Sequence, residues 1–160
     1  YTFRFADKDN IYLGRREGVA FIPPGRSFAI FERGIELGSS SLVYTTFEFN
    51  EIPNWVTLLE TKINQLQVLA SNVILENEDT NPHLSVTIKN NSLFIIPDVT
   101  IVAILYDENH NAVDVSSSYL EELSSEEERV VDFTWPMPFK SKVVTKEIIP
   151  VYDILKVKLK

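Results

Sequence analysis

Apolar and polar residues alternate with period two along most of this chain, the pattern of strands with one buried face. Residues 1–6 put Tyr1, Phe3 and Phe5 on one face, then meet the polar turn Asp7-Lys8-Asp9-Asn10, after which residues 11–16 resume as a second strand. The same design returns about a hundred residues later. Ala103-Ile104-Leu105-Tyr106 ends in Asp107, and Glu108-Asn109-His110-Asn111 turns the chain into Ala112-Val113. A loop and one more apolar strand follow each copy: Ile22-Pro23-Pro24-Gly25 into residues 26–32, and Leu123-Ser124-Ser125 into residues 129–135. Internal repetition outranks any local motif, because it sets the fold as a whole. Here it predicts tandem β-domains.

The remaining elements follow from the same periodicity. Residues 19–22 read as a short strand or corner, closed by Pro23-Pro24-Gly25, where proline fixes φ and glycine tolerates positive φ. Gly34, Gly38 and Ser39-Ser40-Ser41 make a loop, and residues 42–49 close the first module with Val43, Thr45, Phe47 and Phe49 on one face. Glu51-Ile52-Pro53-Asn54-Trp55 is the module boundary. Leu59, Ile63 and Leu66 have near-helical spacing, but residues 65–69 alternate, so this stretch reads as a linker leading into a strand. In the second module strands are expected at 68–76, 84–88, 98–106, 112–118, 129–135 and 146–160, with an acidic loop at 121–128. The chain therefore divides into an N-terminal domain (1–56), a linker (57–67) and a C-terminal domain (68–160).

The two modules are unequal. Strand and turn at 68–99 precede the repeat in the second, whereas the first begins directly on the repeat at Tyr1. The first sandwich is thus expected to lack its opening hairpin, leaving open edges and an uncovered face that holds Phe3, Phe5 and Phe28. Two explanations stand: the hairpin belongs to a longer polypeptide, or another copy supplies it by β-augmentation. The opening on Tyr1, with no initiator Met and no signal-like segment, has the look of a processed or trimmed polypeptide.

Composition narrows the function classes. With 44% hydrophobic residues, including ten Phe, six Tyr and two Trp, the chain is rich enough to fold. It has no Cys, which removes disulfides, thiolate metal sites and a Cys nucleophile. A net charge of −8 opposes nucleic acid and anionic membrane surfaces, and reads as a surface kept apart by like charges. The apolar run 93–106 is interrupted by Pro97-Asp98 and is too short to span a bilayer.

The segment Ile88-Lys89-Asn90-Asn91-Ser92, followed by Asp98-Val99 and then Ile104-Leu105-Tyr106-Asp107-Glu108-Asn109, resembles the FxLYD domain, a small β-sandwich of prokaryotic envelope proteins. Leu105, Tyr106 and Asp107 match that motif, and Ala103 stands where the family has Phe. Phe3-Arg4-Phe5-Ala6-Asp7 keeps the Phe and the Asp. The likeness covers about 65 residues of the second module and, more loosely, about 45 of the first. The pairing of "FIPPGRSFAIFE" with "FTWPMPF" is also similar to tandem envelope proteins. The resemblance implies an Ig-like fold, a place outside the cytoplasm and commonly an upstream lipid or transmembrane anchor. It carries over no catalytic residue. The motif also makes physical sense without a ligand: a strand-end Asp accepts turn N–H groups, and Tyr buries its ring while its hydroxyl finds a partner.

Candidate chemistry is thin. His83 and His110 fall at a strand start and in a turn, where solvated imidazoles are expected and not a metal pair. Asp7-Lys8-Asp9-Asn10 and Glu76-Asn77-Glu78-Asp79 resemble pieces of calcium loops but lack the Gly hinge and distal Glu; a weak site at 76–79 is the one variant worth carrying. Glu121-Glu122 and Glu126-Glu127-Glu128 read as hydrated loop carboxylates, not a catalytic pair. Tyr12, Phe21, Trp55 and Trp135 could form a sugar platform, although the last three read better as core or inter-domain packing. Asn90-Asn91-Ser92 has glycosylation-acceptor spacing.

The sequence therefore predicts an all-β protein of two tandem Ig-like antiparallel β-sandwiches, the first lacking its opening strands. It predicts no cofactor, no metal and no catalytic residue. The expected role is a non-enzymatic extracytoplasmic structural or assembly module, acting through sheet edges and inter-domain packing with a protein partner or a second copy. A glycan- or peptide-binding adhesion module is the alternative. The candidate assembly edges are Tyr1, Phe3 and Phe5 at the N-terminus and Ile154, Leu155, Val157 and Leu159 in the last strand, where Lys156, Lys158 and Lys160 would equally blunt an edge against aggregation.

Overall fold

The computed structural model describes residues 1–38, 41–58 and 64–159. The protein is all-β and β-sandwich-like, built from antiparallel sheets. It divides into two compact units, the first comprising Tyr1–Ile22 and Ile30–Thr57, the second Pro23–Ala29 and Leu58–Lys160.

The first unit contains β1 (Thr2–Ala6), β2 (Tyr12–Glu17) and β3 (Tyr44–Glu48). They form one three-stranded sheet in the order β2-β1-β3. Phe3 lies opposite Phe47 on one side and Arg16 on the other, so the odd residues of β1 share a face with Phe47. Successive strand residues point to opposite faces, which places Thr2, Arg4 and Glu48 on the reverse side. Phe5 is the one apolar residue of this unit that is fully buried among the described residues.

The second unit contains β4 (Val68–Glu76), β5 (His83–Asn90), β6 (Phe94–Tyr106), β7 (Ala112–Leu123), β8 (Glu128–Thr134), β9 (Thr145–Val151) and β10 (Lys158–Leu159). One sheet runs β4-β5-β8. In the other, β6 is central, with β7 on one side and β9 and β10 on the opposite side. Alternate residues Leu84, Val86 and Ile88 of β5, Val99, Ile101, Ala103 and Leu105 of β6, and Val131 and Phe133 of β8 are buried and form the core. The difference in apolar burial between the units is the main energetic contrast of the molecule, since burial is the dominant favourable term in folding.

Each unit nevertheless contains a sheet of the same design. β1 pairs with β2 as β6 pairs with β7: Phe5 faces Gly14 and Leu105 faces Asp114, and each ladder then slips by one residue, to Ala6–Tyr12 and Tyr106–Ala112. β3 joins β1 at Ala6–Tyr44 as β9 joins β6 at Tyr106–Thr145. The turns match as well. The Asp7 carboxylate accepts from the N–H groups of Asp9 (2.9 Å) and Ile11 (2.8 Å), and that of Asp107 from Asn109 (2.9 Å) and Asn111 (2.8 Å). Asn10 (φ 61°) and His110 (φ 62°) hold the same left-handed position, as do Gly25 (φ 64°) and Glu126 (φ 60°) further on. The equivalent residues are 100 apart through the first hairpin and 101 apart after it.

Several sequence expectations are corrected here. Residues 26–32, expected as a strand, join no ladder. Both sides of β1 are already taken, and residues 23–29 fall in the second unit, where the Arg26 guanidinium donates to the Leu66 carbonyl (2.5 Å) and the Tyr152 hydroxyl (3.0 Å). Residues 19–22 join no ladder either and form a corner. The acidic loop is shorter than expected, because β7 continues through Glu121 and Glu122 to Leu123. The single final strand 146–160 is broken. Asp98 (φ 53°) kinks β6, so β9 follows only Thr100–Tyr106, and the chain steps across a 3-10 turn, Ile154–Lys156, before β10 meets Phe94–Ile95. Asn64 and Gln65 are helical, while the rest of the helical spacing at Leu59 and Ile63 lies outside the described residues.

Candidate functional site

The aromatic face of the β2-β1-β3 sheet is the most distinctive surface among the described residues. Tyr1, Phe3, Phe5, Phe47 and Phe49 line one side of it through pleat alternation. Their rings form a continuous cluster. Phe3 lies 5.0 Å from Phe47 and 5.7 Å from Tyr1, and Phe47 lies 5.1 Å from Phe49, all within the range of favourable aromatic pairing. Phe47 and Phe49 nevertheless remain 43% and 51% exposed. By the 100- and 101-residue offsets, Tyr1, Phe3 and Phe5 take the places of Ile101, Ala103 and Leu105, each of which is completely buried in the second unit. The same sheet face is closed in the second unit and only partly covered in the first, where Phe5 is buried and Phe47 and Phe49 stay about half exposed.

A polar cluster sits beside this face. The Tyr1 hydroxyl donates to Glu32 Oε1, and Arg16 Nε donates to Glu32 Oε2 (2.6 Å). Burial of the phenol, reinforced by the hydrogen bond to Glu32 and its negative charge, pushes Tyr1 up to about 12. Burial alone would raise the Glu32 carboxyl, but the donors Tyr1 and Arg16 outweigh it and hold the group below its ordinary value. Gly18 is required here, because a Cβ would lie 2.2 Å from the Tyr1 hydroxyl.

The sequence-selected assembly residues divide sharply. Tyr1, Phe3 and Phe5 come together, but as part of a sheet face and not as an edge, since β1 is flanked by β2 and β3. In the C-terminal set, Ile154 and Val157 are buried, because the 3-10 turn directs them inward, while Leu155 and Leu159 stay exposed. Phe47 and Phe49 belong to the site, and the alternation that puts them on one face with Val43 and Thr45 was the signal for them.

Other candidates disperse. His83 Nε2 lies 3.1 Å from Asp132, whereas the His110 ring stacks on Tyr106 at 4.4 Å, so each imidazole has its own local partner. Among the described residues no group of three acidic, His or Cys side chains is placed to hold a metal ion. At the proposed calcium stretch, the Glu78 carboxylate accepts from Val143 N–H (3.4 Å) and its carbonyl from Phe139 N–H (3.3 Å), fastening the loop after β8. Trp135 is buried against Phe139, as expected of a core residue, whereas Trp55, expected to pack, is 72% exposed. A surface depression of about 310 Å³ near Gln67 and Asn91 is lined chiefly by side-chain amides, with no acid or base among its residues.

The Lys89-Asn90-Asn91-Ser92 motif is a structural bracket. Asn90 Nδ2 donates to the carbonyls of Phe94 (2.7 Å), Ser124 (2.9 Å) and Leu123 (3.2 Å), and Ser92 Oγ donates to Asn90 Oδ1 (2.6 Å). With Asn90 completely buried, its amide is closed to glycosylation in the folded chain.

Acid stability follows from the carboxylates. Hydrogen bonds from the Tyr119 hydroxyl and then Lys156 depress Asp98. The Asn111 backbone, then its side chain, depress Asp107. For Glu127, the Ser124 N–H and Arg129 outweigh a burial effect of opposite sign. A depressed carboxyl contributes stability that is present above its unfolded value, near 4, and lost as pH falls through the folded one. Tyr1 acts in the opposite range: its raised value means stability held below about pH 10 and lost as pH rises towards 12. Urea midpoints measured against pH are expected to be level between about pH 6 and 9 and to fall on both sides; equal midpoints at pH 3 and pH 7 contradict this.

No family model matches the chain, and no curated protein or solved structure matches it. Among the described residues, no helix is long and apolar enough to cross a membrane.

Proposed function

We propose that this chain is a non-enzymatic structural module that works outside the cytoplasm and packs against other polypeptides through the partly open face and the outer strands of its β2-β1-β3 sheet. One observation carries the reading: five aromatic residues occupy a face whose counterpart in the same chain is core, yet two of them are about half exposed. Exposed contiguous apolar surface of this kind marks interaction sites. The resemblance of residues 88–109 to the FxLYD domain supports the extracytoplasmic placement.

Light scattering across a concentration series tests the proposal, because an open aromatic face should drive concentration-dependent association. A monomer at every concentration that binds a glycan array would replace it with the adhesion reading, in which Phe47 and Phe49 stack on sugar rings.

A further inference from the structure

We propose that the depression between the segment entering β4 and the β5–β6 turn is a binding site for a neutral saccharide of mono- or disaccharide size. The site lies wholly in the second unit and does not depend on association through the first.

One functional group dominates its wall. Asn64, Gln65 and Gln67 on one side and Asn91 on the other bring exposed carboxamides to a space of about 310 Å³. That volume is at the small end of the usual range for ligand pockets, about 300–1,000 Å³. Each carboxamide carries two N–H donors and a carbonyl acceptor. Among the described residues, the one bond that joins them runs from Asn91 Nδ2 to Gln67 Oε1 at 3.3 Å, long enough for a ligand to replace.

The chemistry of the wall selects the ligand. Acids and bases are absent from its described residues, so an ionised group brought here would lose hydration and meet no counter-charge. A neutral ligand that both gives and accepts hydrogen bonds suits carboxamides, and a sugar hydroxyl does both at a single atom. Leu93, 65% exposed, and Phe94, itself buried, add apolar surface for the C–H face of a pyranose ring. An extended peptide also carries amides, but it aligns along a strand edge or a long groove, whereas this depression is compact.

The frame holds these amides in place before any ligand arrives. The Asn91 N–H donates to the Gln67 carbonyl (2.8 Å), which ties the two walls together. Leu66, between Gln65 and Gln67, is completely buried, and its carbonyl accepts from Arg26. Across the depression, Asn90 Nδ2 donates to the Phe94 carbonyl, Ser92 Oγ donates to Asn90 Oδ1, and the Ser92 carbonyl accepts from the Glu126 N–H (3.1 Å). The buried bracket therefore fixes the course of residues 90–94, which lowers the ordering cost that binding otherwise carries.

The test follows the assigned NMR signals of the full chain, side-chain amides included. Maltose, cellobiose, lactose and di-N-acetylchitobiose are each added to about 20 mM, and a blocked alanine tripeptide serves as the peptide probe. At least one disaccharide is expected to shift the Gln67 and Asn91 side-chain signals saturably, with a dissociation constant of about 1 mM. Gln67→Leu and Asn91→Leu, each at an exposed side chain, should weaken that binding by about tenfold while the backbone amide spectrum elsewhere stays unchanged. Saturable shifts at this site that either variant weakens support the proposal. Sugar shifts that persist in both variants, shifts confined to β3 around Phe47 and Phe49, or shifts with the tripeptide alone each overturn it. The absence of saturable shifts with every probe overturns it as well. Residue-resolved signals separate a sugar seated here from one on the aromatic face, and neither result bears on whether copies of the chain associate.

Discussion

Asn90→Asp is expected to destabilise the second unit by about 4 kcal/mol. The wild-type amide gives its hydrogens to three carbonyls, those of Phe94, Leu123 and Ser124, inside a site with no solvent access. A carboxylate of the same shape has no hydrogen to give, turns negative charge towards those oxygens and strands each of them. Leaving a buried acceptor unmade costs about 1–3 kcal/mol, more where a charge is involved. The bracket ties the start of β6 to the end of β7, so its loss should reduce unfolding cooperativity at that end of the core. Urea denaturation of the variant checks this; a loss below about 1 kcal/mol would show that the bracket is dispensable.

The second large effect concerns association. Phe47→Ser combined with Phe49→Ser removes two rings that are half exposed and central to the aromatic face. Burying the remainder of each ring against a partner is worth about 1.5–2 kcal/mol. The double variant should therefore raise the dissociation constant for self-association by about two to three orders of magnitude. Its folding should suffer far less than that of a Phe5 variant, because Phe5 is already buried. An unchanged dissociation constant by light scattering would move the interaction elsewhere on the protein.

The repeat was legible because its signals are local. Asp7 and Asp107 end apolar strands, and each caps its turn with two backbone N–H groups, a device that depends on residues only two and four positions away. The strand 68–76 coincides with β4, although a bulge between Ser71 and Ile74, with Asn72 at φ 50°, interrupts its ladder. What the sequence hid depends on distant partners. Residues 26–32 alternate like a strand, but a strand is defined by its neighbour, and alternation cannot reveal that none is present. The C-terminal run alternates through Val157 and Leu159, yet the kink at Asp98 in a different strand decides that it must break. The same limit applies to the candidate site. Tyr1, Phe3 and Phe5 were recognisable as apolar and exposed to something. Only the order β2-β1-β3 turns them from an edge into a face, and only Phe47 opposite Phe3 completes it.

The two sheets also make a controlled comparison within one molecule. They share turn chemistry, bulge position and ladder register, so their intrinsic backbone preferences are matched. They differ in what covers one face. Stability is not uniform across a protein, and the free energy of local opening follows buried apolar contacts more than the number of strand hydrogen bonds. The comparison therefore isolates the contribution of the layer that covers the second sheet.

Native-state hydrogen exchange measured residue by residue, on the dilute chain without partner, reads that contribution directly. Amides of β1 are expected to exchange at least about a hundredfold faster than their counterparts at Val102, Ile104 and Tyr106 in β6. Equal protection in the two strands would mean that the first sheet is as well closed as the second, and that it presents no open face for another polypeptide.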